Sequence, residues 1–70
     1  MTLNEAQIGV PYIIKGIRTD NCDLNSFLQR LGCYSGQSVT VISRKRKGCI
    51  ASIMNNRYSF DESIAEAILI

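Results

Sequence analysis

The three cysteines, Cys22, Cys33 and Cys49, have the most reactive side chains in this sequence. Thiolates ligate iron and zinc and take part in redox reactions. A tetrahedral zinc site of the usual kind needs four thiolate or imidazole ligands, and the chain has no histidine to complete one. An odd number of cysteines at irregular spacings also argues against a disulfide framework. We therefore expect three reduced thiols with no metal and no cofactor, while a thiol-based metal or redox sensor remains an alternative.

The carboxylates do not form a catalytic pattern. Asp61, Glu62 and Glu66 lie close together near the C-terminus, but a hard cation needs more oxygen ligands than this group offers. Asp61 is well placed to cap a helical turn, and solvation explains the other two. Since there is also no histidine, no glycine-rich phosphate loop and no paired nucleophile and base, the sequence predicts a protein that is not an enzyme.

The basic run Arg44-Lys45-Arg46-Lys47 holds four of the eight lysines and arginines, in a chain whose net charge is only +2. Such a run is either a solvated hairpin tip or a docking patch for an acidic protein surface, an anionic lipid or RNA. RNA recognition would also need exposed aromatic side chains for base stacking. We expect both phenylalanines, Phe27 and Phe60, to lie in the core, so nucleic acid is not the expected partner.

Tyr34 is the aromatic residue best placed to contact a partner. It follows a predicted helix and precedes the turn into a predicted strand. Aromatic side chains beside a groove often anchor a peptide, although a tyrosine at this position could equally lie flat on the edge of the core. The candidate partner-binding residues are therefore Tyr34, Arg44, Lys45, Arg46 and Lys47.

The clearest structural element is an amphipathic helix over residues 23–31. Its apolar residues Leu24, Phe27, Leu28 and Leu31 follow the i, i+3, i+4, i+7 spacing of one helix face. Gly32 is well placed to end the helix in the left-handed conformation. We expect this face to cover one end of a small sheet.

Most of the remaining chain reads as strands in a single domain of residues 1–70. The predicted strands are 12–17 (with a bulge at Gly16), 39–42, 49–54, 57–60 and 67–70, and helical turns are predicted at 2–6 and 62–65. A hairpin loop is expected over 44–48, and Asn55-Asn56 is expected to form a type I′ turn. The expected interior residues are Val39, Val41, Ile50, Ile53, Phe60 and Ile68.

These elements predict a mainly β fold. It is a small SH3-like barrel of about five strands, with a helix inserted between the first and second strands and a short N-terminal helical turn. Closure of the barrel would hide the edges of the apolar strands. The start of the chain lacks the basic head and apolar run of a secretory leader, and the longest apolar stretch, Ala67–Ile70, is far too short to span a bilayer. We expect a cytoplasmic protein that reaches a membrane only through a partner.

Three blocks of residues together resemble a known family. They are Thr2-Leu3 leading to Gly9, Leu28-x-x-Leu31-Gly32-x-x-x-Gly36-x-x-Val39-x-Val41, and Ala67-Ile68-x-Ile70. On this pattern, which covers nearly the whole chain, the sequence is similar to the FeoA proteins, small cytoplasmic accessories of bacterial ferrous iron uptake. Two positions depart from the usual pattern: Ser35 stands where proline is common, and Cys33 stands where a bulky aliphatic residue is usual.

The resemblance implies an SH3-like fold, no catalytic activity and a protein partner, the membrane-embedded FeoB permease with its cytosolic GTP-binding domain. The expected role is to support assembly of the permease or to regulate its nucleotide cycle. The same small barrel occurs at the C-terminus of some iron- or manganese-dependent repressors, but no DNA-binding segment accompanies it in this sequence. An RNA-binding small barrel is the other alternative. The apolar C-terminal strand could also pair with a second copy of the chain.

Overall fold

A computed structural model describes all residues, Met1–Ile70. The six strands are β1 (Pro11–Ile13), β2 (Gly16–Ile17), β3 (Ser38–Lys45), β4 (Gly48–Ile53), β5 (Asn56–Asp61) and β6 (Ile68–Leu69). Two helices, α1 (Cys22–Leu31) and α2 (Glu62–Ala67), and a 3₁₀ turn at Leu3–Glu5 complete the fold. The predicted mainly β architecture, with a helix inserted ahead of the long central strand, is confirmed.

The strands form two antiparallel sheets that do not join into a closed ring. One sheet has the order β1-β3-β4-β5, and the other pairs β2 with β6. The outer edges of β1 and β5 therefore have no strand partner, and the expected full closure of the barrel is absent.

The predicted strand 12–17 is two strands, because the chain changes partners within it. Tyr12 of β1 pairs with Val39 of β3, whereas Ile17 of β2 pairs with Ile68 of β6. Between them, the amide of Ile14 donates to the carbonyl of Gln37 (2.8 Å) and the amide of Lys15 to that of Leu69 (2.7 Å). Residues 14 and 15 thus form the corner that carries the chain from one sheet to the other.

Helix α1 starts one residue earlier than predicted. The side chain of Asn21 accepts hydrogen bonds from the amides of Asp23 (3.0 Å) and Leu24 (3.1 Å), which caps the first turn. At the other end, Gly32 adopts a φ of 102°, as predicted from its place after the apolar pattern.

Phe27 is exposed, which corrects the expectation that it lies in the core. Leu28 is fully buried and Leu24 and Leu31 pack against the core, while Phe27 is 48% exposed. At about 100° per residue, Phe27 lies about 70° away from the mean direction of the three leucines around the helix. A single short helix on a small sheet buries only the narrow leucine stripe.

The β3–β4 hairpin has a shorter turn than predicted, and the turn of the β4–β5 hairpin lies one residue earlier than predicted. β3 continues to Lys45, which pairs with Gly48, so the predicted loop 44–48 is only a two-residue turn, Arg46-Lys47. The strand is extended because a register shift between Val41 and Ser43 lets it continue past its apolar segment.

The second hairpin has the predicted kind of turn, one residue earlier. Met54 (φ 52°) and Asn55 (φ 65°) occupy the two turn positions, and Asn56 is the first residue of β5. The positive φ of both residues is what a type I′ turn requires. The Met54 side chain lies against Gly32, because a Cβ on that glycine would be 2.8 Å from the Met54 sulfur.

The core lies between the two sheets and α1. Of the expected interior residues, Val39, Val41, Ile53, Phe60 and Ile68 are buried. Ile50 is only partly buried, because Cys49, Ala51 and Ile53 take the inward positions of β4 and the period of two turns Ile50 to the opposite face. The core also contains Leu3, Ile14, Leu28, Cys33, Cys49, Ala51 and Ala65.

Two contacts fix the end of the sheet that holds the Arg46-Lys47 turn. Gly48 lies directly against β5, where a Cβ would overlap the carbonyl oxygen of Phe60 and would lie 2.9 Å from the Cα of Asp61. On the same hairpin, the Arg44 guanidinium donates to the carbonyls of Leu3 (3.1 Å) and Ala6 (2.5 Å) and so ties the 3₁₀ turn to β3.

We predict that Gly48→Ala lowers the free energy of unfolding by at least about 2 kcal/mol, because the methyl group would force the two strands apart. Urea denaturation followed by circular dichroism measures the loss. Gly16→Ala is the matched control, since Gly16 also lies in a strand but has open space around its Cα. Equal stability of the two variants would show that the close approach at Gly48 is not a constraint.

We also predict that Arg44→Met costs about 1 kcal/mol of stability, since it leaves two carbonyls without their charged donor at a site that is partly open to solvent. Lys45→Met, on the next residue of the same strand, removes an exposed side chain with no hydrogen bond to the 3₁₀ turn and should change stability by less than about 0.5 kcal/mol. The same denaturation experiment compares them. A loss for Lys45→Met as large as that for Arg44→Met would contradict the anchoring role of Arg44.

Candidate partner-binding surface

The basic run forms one end of the large sheet, which we call the basic end (Arg44, Lys45, Arg46 and Lys47). Lys45, Arg46 and Lys47 have exposed side chains at the tip of the β3–β4 hairpin. Arg44 differs from them because its guanidinium is occupied by the carbonyls of Leu3 and Ala6. Three cations, rather than the four in the sequence run, are therefore free to meet a partner.

The backbone of the basic end is held from several sides. The amide of Glu62, the first residue of α2, donates to the carbonyl of Lys47 (3.0 Å). Asn4 donates in turn to the carbonyl of Glu62 (3.1 Å), which links α2 to the 3₁₀ turn. Together with the close contact at Gly48, these bonds hold the cations on a rigid support.

Three carboxylates, those of Glu5, Asp61 and Glu66, accept hydrogen bonds within the fold. Glu5 accepts from the amide of Thr2 (2.9 Å), and Asp61 caps α2 by accepting from the amide of Ile64 (2.9 Å). Glu66 accepts from Asn4 (2.9 Å) and from Thr2 (3.2 Å). The predicted capping role of Asp61 is confirmed.

The hydrogen bonds to Glu66 affect its ionisation. Those from Asn4, and then from Thr2, lower the pKa of the Glu66 carboxyl because they stabilise its charged form. With a folded-state pKa below that of the unfolded chain, this carboxyl stabilises the fold at neutral pH, and its contribution is lost as the pH falls through the lowered pKa.

Tyr34 lies at the other end of β3. It is 45% exposed and follows Gly32 and Cys33, and its carbonyl accepts from the amide of Gln37 in the turn that leads into the strand. Two further exposed apolar side chains surround the C-terminal part of α1, Phe27 and the 57% exposed Met54. We call Phe27, Tyr34 and Met54 the apolar end.

The structure does not bring Tyr34 and the basic run into one site. β3 runs from Ser38 to Lys45, and at about 3.3 Å per residue the two ends of the strand are about 23 Å apart. Tyr34 and the basic run therefore lie on two separate surfaces. Sequence reasoning missed Phe27 and Met54 as surface residues, although the position of Met54 beside Asn55 in a two-residue turn is a signal for exposure.

The cysteines are dispersed. Cys22 is exposed at the start of α1, whereas Cys33 and Cys49 are buried. Burial raises the pKa of the Cys33 thiol to about 11, and burial also raises the pKa of Cys49, against the opposing effect of Arg44. No group of three or more cysteine, aspartate or glutamate side chains is arranged to hold a metal ion. The two buried thiols are therefore protonated at neutral pH and behave as small apolar side chains.

Neither helix combines the length and apolar character that a membrane-crossing segment needs.

Solved structures share this fold at low sequence identity. The FeoA protein of Stenotrophomonas maltophilia, in a zinc complex, is described as a prokaryotic SH3 domain protein. Its structure matches with a TM-score of 0.87 and 16% sequence identity. The match covers 99% of this chain and 87% of the S. maltophilia protein. A second FeoA structure, described as an iron uptake regulatory protein, has a TM-score of 0.83 and 21% identity over 97% of this chain and 93% of its own. These similarities confirm the SH3-like fold.

A manganese-dependent transcriptional repressor also contains this fold. It has a TM-score of 0.86 and 14% identity, with 97% of this chain matching 39% of the repressor. A comparison with curated protein sequences finds no match. At the level of families, the FeoA domain model matches residues 1–70. The chain therefore belongs to the FeoA family.

Proposed function

We propose that this protein is a non-enzymatic accessory of ferrous iron uptake that binds the cytosolic part of a FeoB-type permease. Membership of the FeoA family supports the proposal. So does the similar fold of the S. maltophilia protein, which is described as a candidate activating factor for bacterial ferrous iron transport. A protein that binds the cytosolic part of the permease works in the cytoplasm and reaches the membrane through that partner.

The observation that carries the proposal is the set of three exposed cations at the basic end, carried on a backbone that α2 and β5 hold in place. Arg46 and Lys47 form a two-residue turn and Lys45 ends the strand before it, and the backbone here is held by the close contact at Gly48 and by the Glu62 amide. A fixed cluster of one sign attracts an acidic protein surface over long range and orients it during encounter. Because the turn is already ordered, binding costs little backbone conformational entropy.

Binding of this kind can influence the permease in two ways. If the acidic surface forms only in one state of the GTP-binding domain, the accessory shifts the population toward that state by the ratio of its affinities. If the acidic surface is present in all states, the accessory contributes to assembly without altering the nucleotide cycle. The effect of guanine nucleotide on affinity distinguishes these two roles.

The structure gives less support to the other candidate functions. An RNA-binding barrel combines cations with stacking aromatic side chains along one surface, but here Tyr34 precedes the opposite end of β3 from the cations, and Phe27 lies on α1. A thiol-based sensor needs accessible thiols of low pKa, and two of the three cysteines are buried with raised pKa values.

We predict that replacing Lys45, Arg46 and Lys47 together with serine weakens binding to the cytosolic domain of the permease from the same organism by about tenfold or more. Arg44 stays in place because it anchors the fold. Isothermal titration calorimetry, with and without guanine nucleotide, measures the affinity.

The matched control replaces three exposed cations elsewhere, Lys15, Arg18 and Arg30, with serine, which removes the same charge from other surfaces. This control should retain most of the affinity. Equal losses in the two variants would show that only net charge matters, and no binding by the unaltered protein in any nucleotide state would overturn the proposal.

A further inference from the structure

The outer edge of β5 has no strand partner, and its charges are complementary to those of a second, antiparallel copy of the same strand. β5 forms its ladder with β4 alone and is the last strand of the four-stranded sheet. An unpaired edge carries free backbone donors and acceptors that can accept another strand. The opposite edge, β1, has only three residues and begins at Pro11, which lacks an amide donor, so β5 is the longer and more competent edge.

The register of the β4–β5 hairpin determines which residues of β5 offer their backbone outward. A two-residue turn places Ile53 and Asn56 in a hydrogen-bonded pair, and such pairs then alternate along the ladder. Tyr58 and Phe60 consequently direct their amides and carbonyls to β4. Arg57, Ser59 and Asp61 direct theirs to the free edge.

Arg57, Ser59 and Asp61 also have exposed side chains, because they share the outward face of the strand. A second β5 strand, antiparallel to the first and centred on Ser59, places Ser59 opposite Ser59 of the second copy. The same register places Arg57 opposite Asp61 of the second copy, and the reverse pair forms across the twofold axis. All three outward-facing residues then lie in hydrogen-bonded pairs, and both charged pairs have opposite signs.

Asp61 can accept this contact without giving up its role in the fold. One carboxylate oxygen caps α2 through the amide of Ile64, and the second oxygen is available to an arginine. On the inner face, Tyr58 is only partly buried and would lie opposite Phe60 of the second copy. The two rings already stack within one copy, with centroids 6.2 Å apart, so the pairing would extend an existing aromatic row.

From this complementarity we propose that the protein forms a twofold-symmetric dimer through β5, with Ser59 on the axis and two Arg57–Asp61 pairs across it. This surface adjoins the basic end at Asp61, which pairs with Gly48, but it uses none of the three free cations, so the inference stands independently of the proposed partner. A strand from another protein that places a like charge opposite Arg57 or Asp61 would be repelled, whereas a second copy in this register places an opposite charge at both positions.

Analytical ultracentrifugation over a concentration series, from micromolar to about millimolar, tests the dimer, and its dissociation constant should rise with ionic strength. Arg57→Asp and Asp61→Arg each place like charges opposite one another, and each should weaken dimerisation by about tenfold or more. An equimolar mixture of the two variants restores opposite charges at both pairs, and should dimerise as well as the unaltered protein. Circular dichroism verifies that Asp61→Arg, which lacks the α2 cap, is folded.

A disulfide test reports the register and does not depend on the Asp61 variant. In a Cys22→Ser background, Ser59→Cys should form a covalent dimer under mild oxidation, because a hydrogen-bonded pair sets the two Cα atoms about 5.5 Å apart, within disulfide range. Ser38→Cys, also exposed on a strand, is the matched control and should remain mostly monomeric.

Three results would overturn the proposal. They are a monomer at every concentration, a dimer that neither charge variant weakens, and equal cross-linking of the Ser59→Cys and Ser38→Cys proteins.

Discussion

The backbone of Gly48 lies in direct contact with the backbone of Phe60 and Asp61, and this approach sets the positions of three elements at once. It fixes the start of β4 and therefore the turn that precedes it. It fixes the end of β5, and with it the Asp61 cap from which α2 begins. Because no side chain fits between these strands at Gly48, the basic end packs directly against the end of β5, and the Glu62 amide ties it to α2. A chain of 70 residues has little core to spare, and it obtains rigidity at this point from backbone packing.

The same arrangement explains why the surface divides into separate regions. β3 is long enough to hold the cations at one end and the apolar side chains around α1 at the other, with the core between them. Arg44, which belongs to the basic run in sequence, serves the fold by bonding the 3₁₀ turn, and its three neighbours remain free. The free edge of β5 is a third region, on which Arg57 and Asp61 alternate with the inward-facing aromatic residues. A small SH3-like fold can in this way present several separate surfaces for contact.

The sequence predicted the features that depend on local chemistry and missed those that depend on tertiary contacts. The leucine pattern and Gly32 gave α1 almost to the residue, and the Asp61 cap and a turn with positive φ near Asn55 were also correct. The bulge that extends β3 to Lys45 has no local signal, so the basic loop was predicted to be longer than it is. The exposure of Phe27 depends on how much of α1 the small sheet can cover, and the inward position of Cys49 in place of Ile50 depends on register. The candidate residues themselves were identifiable from the sequence, but their separation along β3 required the fold.

The most direct test of the central claim, that the basic end is the surface that meets the permease, is an NMR titration. The amide spectrum of the ¹⁵N-labelled protein would be followed as the unlabelled cytosolic domain of the permease is added. The perturbed amides should cluster at Lys45–Gly48 and at the adjoining start of α2. Perturbations confined to the region of Phe27, Tyr34 and Met54, with the Lys45–Gly48 amides unchanged, would contradict it.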